Sequence, residues 1–193
     1  SCVPIILLPQ LPGDVSLITG VMLELAALGR PVVALDMPGN GDSDDWATAA
    51  SVASYAVVVG EVLDALGLAQ IDLIGHQGGA SVATEFALTH SDKVRNLILF
   101  APLGMPDEIR LALAPNYALP IEPQWDGSHL ISLWFALRNE QLFWPWYNRT
   151  REGVLQREPY VDTAMVHRRV VSLLKCWNMW QAHYGAHWKY DAH

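Results

Sequence analysis

The sequence is poor in cysteine, poor in charge and poorest in basic residues. Its 193 residues hold 2 cysteines, 12 Lys and Arg against 20 Asp and Glu, and 17% charged residues in all, for a formal net charge of −8. Cys2 and Cys176 lie too far apart in sequence to form a metal motif and do not demand a disulfide, so a reduced, cytoplasmic setting is the plain expectation. The acidic balance weighs against nucleic acid or an anionic membrane as partner, since both attract basic surfaces. No apolar run approaches the roughly 18–20 residues of a membrane span, and the first residues do not read as a signal segment. No motif calls for a cofactor. A small neutral or apolar molecule is the expected partner, with self-association left open.

Apolar residues make up 51% of the chain, which describes a folding sequence with enough length for one substantial core. Residues 3–8 form a short apolar run ending at Pro9, Pro12 and Gly13, and a helical pattern then covers residues 15–28 and stops at Gly29. The same grammar recurs: strand 31–35, helix 51–66 closed by Gly67, strand 71–74, helix 79–90, strand 94–100. Short, continuously apolar strands alternating with helices predict an α/β fold with a parallel sheet covered on both faces. Ligands of such sheets bind beyond the carboxyl ends of the strands.

From about residue 104 the pattern changes. No convincing strand follows, and seven of the eight tryptophans lie from Trp125 onward. One helix is expected over residues 127–142 and another from near Asp162, carrying Val166, Val170, Leu173, Leu174 and Trp177 at helical spacing and running towards Tyr184. The Pro-containing stretch 105–123 reads as a linker. The division is thus residues 1–104 and residues 105–193.

Residues 71–80 read Ile-Asp-Leu-Ile-Gly-His-Gln-Gly-Gly-Ala: a strand, a glycine-framed bend and a helix start. Such a frame suits the presentation of a nucleophile, because small neighbours allow a sharp turn at a strand end. Its centre is Gln77, whose amide can hydrogen-bond but cannot attack a carbonyl.

Two motifs now make the sequence similar to the α/β-hydrolase fold superfamily, in particular to members with a helical cap. Asp36-Met37-Pro38-Gly39-Asn40-Gly41-Asp42-Ser43 resembles the family's D-x-P-G-x-G-x-S loop. Gly75-His76-Gln77-Gly78-Gly79 resembles the nucleophile elbow with glutamine in place of serine. The resemblance is close over residues 3–104 and general beyond. It implies an oxyanion donor on the amide of Gly78 and a second near Gln10 or Leu11, where the family tends to carry His-Gly. Gln10 and Gln77 are then expected to face one pocket, roofed by the helical cap. The family's later strands, with an acid and a general-base histidine, have no counterpart here, so the chain reads as a piece of something longer.

The resemblance leaves several roles to weigh. Gln77 is the candidate catalytic or ligand-positioning residue; the alternatives are a pseudoenzyme that only binds, or an inactivated serine hydrolase. His76 fills an elbow position that relatives often give to packing, and is carried as a substrate-side candidate. Asp36 is expected to brace the loop 39–43 through backbone N–H groups. Asp107, with Glu108 beside it, follows the fourth strand where some relatives place an acid, and is the candidate catalytic carboxylate. Trp144 is a candidate for the pocket wall; Trp134, Phe143, Trp146, Trp177 and Trp180 are expected mostly in the cap's core. His183 and His187, four apart, suggest a metal site with Asp191 or His193 only weakly, because Gly185 interrupts the helix. The leading reading is an α/β-hydrolase-like enzyme that acts on a small, fairly apolar molecule without a serine acyl-enzyme and without a metal.

Overall fold

The computed structural model describes residues 3–46, 50–158 and 160–191. Cys2 and His193, weighed above for a disulfide and a metal site, lie outside the described residues. Strands β1 (Ile5–Leu8), β2 (Val32–Ala34), β3 (Ile71–His76) and β4 (Val94–Phe100) form one parallel sheet in the order β2-β1-β3-β4. Leu8 pairs with Gly75, so the carboxyl ends of the two central strands finish level with each other.

Side chains alternate across a strand, and both sets are apolar here because both faces are covered. On one face Ile5, Leu7 and Ile74 meet Ile18, Met22 and Leu25 of helix α1 (Thr19–Ala27) and the turn before it. On the other, Ile6, Leu8 and Leu73 pack with Val59 and Leu63 of α2 (Val52–Ala65) and Phe86 of α3 (Gly78–Thr89). The outer strand β4 differs: Ile98 is 54% and Phe100 64% exposed. Asp72 is the buried carboxylate inside β3. It accepts hydrogen bonds from Arg95, Asn96 and Arg30, and these, Arg95 foremost, hold its carboxyl well below the usual range.

The chain beyond residue 105 is helical: α4 (Asp107–Tyr117), α5 (Ser128–Asn139), α6 (Thr163–Lys175) and α7 (Trp180–Lys189). Leu113, Leu133, Leu137, Trp146, Val166, Leu173 and Trp180 form its own core. Two expectations are corrected. The stretch 105–123 is not a linker but contains α4, with Pro115 inside it; Asp107 and Glu108 favour its first turn, and burial of Leu113 and Tyr117 outweighs the proline. The single helix expected from Asp162 towards Tyr184 is two, separated by a turn at 176–179. The break lets α6 bury Val166, Val170 and Leu173 against α5 while α7 turns His183 and His187 towards the sheet domain.

The helices are tied to the sheet by polar contacts. His183 of α7 is fully buried; its Nδ1 meets the hydroxyl of Tyr55 and its Nε2 lies 3.3 Å from the carbonyl of Gly39. Nε2 also lies 3.2 Å from the amide nitrogen of Asn40. Lys175 donates to Asp42 at 2.8 Å and the Tyr190 hydroxyl to Glu85 of α3 at 3.1 Å, while within the helical half Arg110 of α4 donates to the backbone carbonyls of Trp188 and Tyr190.

Two predictions follow from this packing. A Cβ on Gly79 would stand 2.3 Å from the carbonyl oxygen of Pro9 and 2.5 Å from that of Leu8. Gly79→Ala should therefore lower unfolding free energy in urea by about 3 kcal/mol or more, whereas Gly20→Ala in α1, with nothing within 4 Å, should raise it by up to about 1 kcal/mol. Burial pushes the His183 imidazole down from 6.5 to about 4, a little offset by the Gly39 carbonyl. The unfolded chain then binds the proton first, so the stability is fully present above pH 6.5 and is lost as pH falls towards 4. The loss is on the order of 3 kcal/mol, read as a falling urea midpoint between pH 7.5 and 4 and a shallower fall in His183→Gln.

Candidate functional site

Strand β3 ends at His76 and helix α3 begins at Gly78, so one residue makes the whole turn. Gln77 takes φ 48° and ψ −112°, a conformation that costs an L side chain roughly 1–3 kcal/mol. The bend is pinned on both sides: the Gln77 N–H donates to the carbonyl of Phe100, and the Gln77 carbonyl accepts from Ala80, each at 2.9 Å. The side chain is thrown outward and exposed.

Leu11, in the loop after β1, lies against this bend. A Cβ on Gly78 would be 2.5 Å from the Leu11 carbonyl oxygen and 2.9 Å from its nitrogen, so only glycine permits the approach. Among the described residues the N–H groups of Leu11 and Gly78 make no hydrogen bond. Gly78 opens a 12-residue helix, whose first N–H groups have no partner within the helix and whose dipole favours negative charge. Two such donors can hold an oxygen that gains charge.

A cleft opens above them in two lobes that share Gln77, Tyr117, Trp144 and Tyr184. One, of about 250 Å³, is lined also by Leu11, Gly78, Leu103 and His187. The other, of about 380 Å³, is lined also by Gln10, Glu140, Arg157 and Arg169. These volumes suit a small molecule. Arg169 and Glu140 form a largely buried ion pair at 2.6 Å. Burial works most strongly against the Arg169 charge, but Glu140, Tyr184 and Tyr117 together raise its pKa. Tyr117 and Tyr184 are pushed far above the ordinary phenol range, mainly by burial, and stay neutral.

Gln77, Gly78, Gln10, Leu11 and Trp144 thus come together around one cleft. His76 does not line either lobe: its ring packs 5.1 Å from that of Phe100, and among the described residues its buried Nδ1 has no partner. Burial, then Arg169, lowers its pKa. Asp107 is also elsewhere. It is exposed, pairs with Arg110 at 2.8 Å, and lines a neighbouring cavity of about 380 Å³ together with Ser81 and Arg110. Glu108 is exposed beside it. Asp36 braces its loop as expected, accepting from Val15 N at 2.7 Å and Asp42 N at 3.1 Å.

The C-terminal histidines do not converge. His183 faces Tyr55 and Gly39, whereas the Nδ1 of His187 lies 3.0 Å from Ser81 Oγ. Among the described residues no group of three His, Cys, Asp or Glu is placed to hold a metal ion. His187, Ser81, Tyr117 and Tyr184 were not foreseen as parts of the site. The spacing of 183 and 187 put both on one helix face, but nothing in it named Ser81, 106 positions earlier. Among the tryptophans, Trp146 and Trp180 are core as expected, Trp188 joins the core and the cleft wall, and Trp177 is 45% exposed.

No helix among the described residues is long and apolar enough to cross a membrane. A family model for the alpha/beta hydrolase fold matches residues 3–187. A 2-hydroxymuconate semialdehyde hydrolase of Pseudomonas sp. (strain CF600) is 41% identical over 87 residues, 44% of this chain and 30% of that protein. Epoxide hydrolase 2 of Siraitia grosvenorii is 36% identical over 80 residues, 40% of this chain and 25% of that protein. The chain therefore spans only a fraction of the length of these curated relatives. A thermophilic esterase from Thermogutta terrifontis superposes with a TM-score of 0.68 at 19% identity, covering 98% of this chain and 64% of that one, a likeness of fold. Because the family match extends from β1 past the Asp36 loop and the Gln77 bend into the last helix, the chain belongs to the alpha/beta hydrolase fold family.

Proposed function

We propose that the protein hydrolyses a small, fairly apolar molecule held between the carboxyl ends of β1 and β3 and the helices beyond residue 105, which serve as a cap, by a route with no serine acyl-enzyme. The observation that carries this reading is residue 77: a strained, outward-facing side chain beside two unpaired amides, but one unable to form an ester. In this reading the N–H groups of Leu11 and Gly78 form the oxyanion hole. The amides of Gln77 and Gln10 orient the polar end of the substrate, and Trp144 with Tyr117 and Tyr184 takes the apolar end. Water is the attacking group. The names of the relatives, an epoxide hydrolase and a semialdehyde hydrolase, support hydrolysis of small molecules. Asp107 takes no direct part, since Arg110 holds it outside this cleft.

A binding protein of the same fold is the second reading, favoured by the state of Glu140. It is the carboxylate lining the larger lobe, and Arg169 already neutralises it. A panel of uncharged esters and epoxides, run beside a fluorophosphonate probe, separates the readings. Turnover with no probe adduct on the intact mass is the expected result. Saturable binding with no turnover, unchanged in Gln77→Ser, means a binding protein; esterase activity gained by Gln77→Ser means a serine hydrolase that lost its nucleophile; a probe adduct at the wild-type turn overturns the proposed route.

Gln77 also trades stability for contact. Gln77→Gly should relieve the positive-φ strain and raise unfolding free energy by about 1 kcal/mol after the entropy of glycine is counted. It should weaken ligand binding about tenfold, the worth of one lost hydrogen bond.

A further inference from the structure

We infer that Asn40 is the positioning residue that holds the Leu11 donor in place, and that through it the donor pair depends on helix α7 being seated against the sheet domain. The inference rests on the reading above, in which the N–H groups of Leu11 and Gly78 receive the ligand's oxygen, and adds what controls that pair.

The two donors are held in unequal ways. Gly78 opens α3 and is wedged against Leu11, so the helix itself fixes its amide. Leu11 lies in a loop without regular structure. Among the described residues, the main chain of 10–13 makes a single hydrogen bond: the buried Gly13 N–H donates to Asn40 Oδ1 at 3.2 Å. Two residues further on, Val15 N donates to Asp36 Oδ1. The loop after β2 thus grips the loop after β1 at two points, and Asn40 is the one nearer to the donor.

Asn40 is fully buried and uses both ends of its amide. Its Oδ1 accepts from Gly13, and its Nδ2 donates to the carbonyls of Met37 and Pro38, each at 3.3 Å. Only an amide both accepts and donates in this way. The same Nδ2 lies 3.2 Å from Nε2 of His183 in α7. Helix α7 presses on this point closely: a Cβ on Gly39 would stand 3.2 Å from Met179 Cγ and 3.3 Å from His183 Nε2. The contacts therefore run from Tyr55 of α2 through His183 and Asn40 to Gly13, two residues from Leu11. A buried network with every member paired holds one arrangement. Withdrawal of α7 takes His183 and Met179 away from the 39–40 turn, frees the Asn40 amide to rotate, and leaves the Leu11 loop without its hydrogen bond. Such coupling is reciprocal, so a ligand on the Leu11 amide also favours the bond from Gly13 to Asn40.

The test is a titration of the nitrogen-15-labelled protein with benzamide, whose carbonyl accepts hydrogen bonds and whose ring suits the aromatic wall. In the wild type the Leu11 and Gly78 amide resonances should both shift, and exchange of the Gly13 amide with solvent should slow several-fold. Asn40→Ala should keep the Gly78 shift, lose the Leu11 shift and bind benzamide about tenfold more weakly, the worth of one hydrogen bond. His183→Ala should weaken binding as well, and the double variant should bind no more weakly than Asn40→Ala alone. Neither amide shifting in the wild type overturns the donor pair and this inference with it. A Leu11 shift retained in Asn40→Ala, or a wild-type Leu11 shift with Gly13 exchange unchanged, overturns the role of Asn40 and leaves the donor pair standing. The exchange measurement needs no variant, so it decides the matter even if Asn40→Ala fails to fold. Fully additive losses in the double variant overturn the dependence on α7.

Discussion

The site is organised by a crowded junction of backbone. Gly75, Gly78 and Gly79 lie so close to Ala80, Leu11 and the carbonyls of Leu8 and Pro9 that no side chain fits at any of the three. Helix α3 can therefore start directly against β1, and the chain has a single residue in which to leave β3. That residue must adopt a positive φ and must point away from the protein. The exposure of Gln77, the orphaned Gly78 amide and the nearness of Leu11 are all consequences of this one contact. The strain at Gln77, roughly 1–3 kcal/mol, is sustained because undoing it would pull α3 off a core that includes Leu8, Val82 and Phe86.

Much of this was legible in the sequence because it is local. Glycine spacing, short apolar strands and the acidic loop after β2 each state their own geometry within ten residues, and the parallel sheet, the bend at Gln77 and the Asp36 brace follow from them. The helical half was less legible. Pro115 argued for a linker, but a helix forms there because Leu113 and Tyr117 find a core supplied by residues beyond 130. Spacing placed Trp177 and Trp180 in similar apolar settings, yet the turn at 176–179 separates them and leaves Trp177 half exposed. Helical periodicity identifies a face but not what it meets, so the pairings His183 with Tyr55 and His187 with Ser81 were out of reach.

Helix α7 links the anchoring of the helical half to the shape of the cleft. His183 is locked between α2 and the Gly39 carbonyl, and one turn later His187 lines the lobe that also holds Leu11 and Gly78, with Tyr184 and Trp188 completing the wall. Residues four apart share a helix face, so any rotation that moved His187 would also unseat His183. Arg110 adds a second clamp by gripping the carbonyls at the end of α7. The placement of the cleft-lining side chains is thus set by buried contacts outside the cleft.

The chemistry of the proposed route divides in the same way. Backbone donors do not depend on the identity of residue 77, so in the proposed route charge stabilisation needs no nucleophile at that turn. With glutamine there, the turn offers no attacking oxygen. A water nucleophile then needs a base that is neutral, unengaged and near the amides. The carboxylates close to the cleft fail on the second count, since Glu140 is bound to Arg169 and Asp107 to Arg110, and the buried phenols fail because they hold their protons too tightly. His76 turns its ring to Phe100 and His183 spends both nitrogens on anchoring. Among the described residues these groups serve the fold, and what the cleft offers a ligand is its two backbone donors, the amides of Gln77 and Gln10 and an aromatic wall.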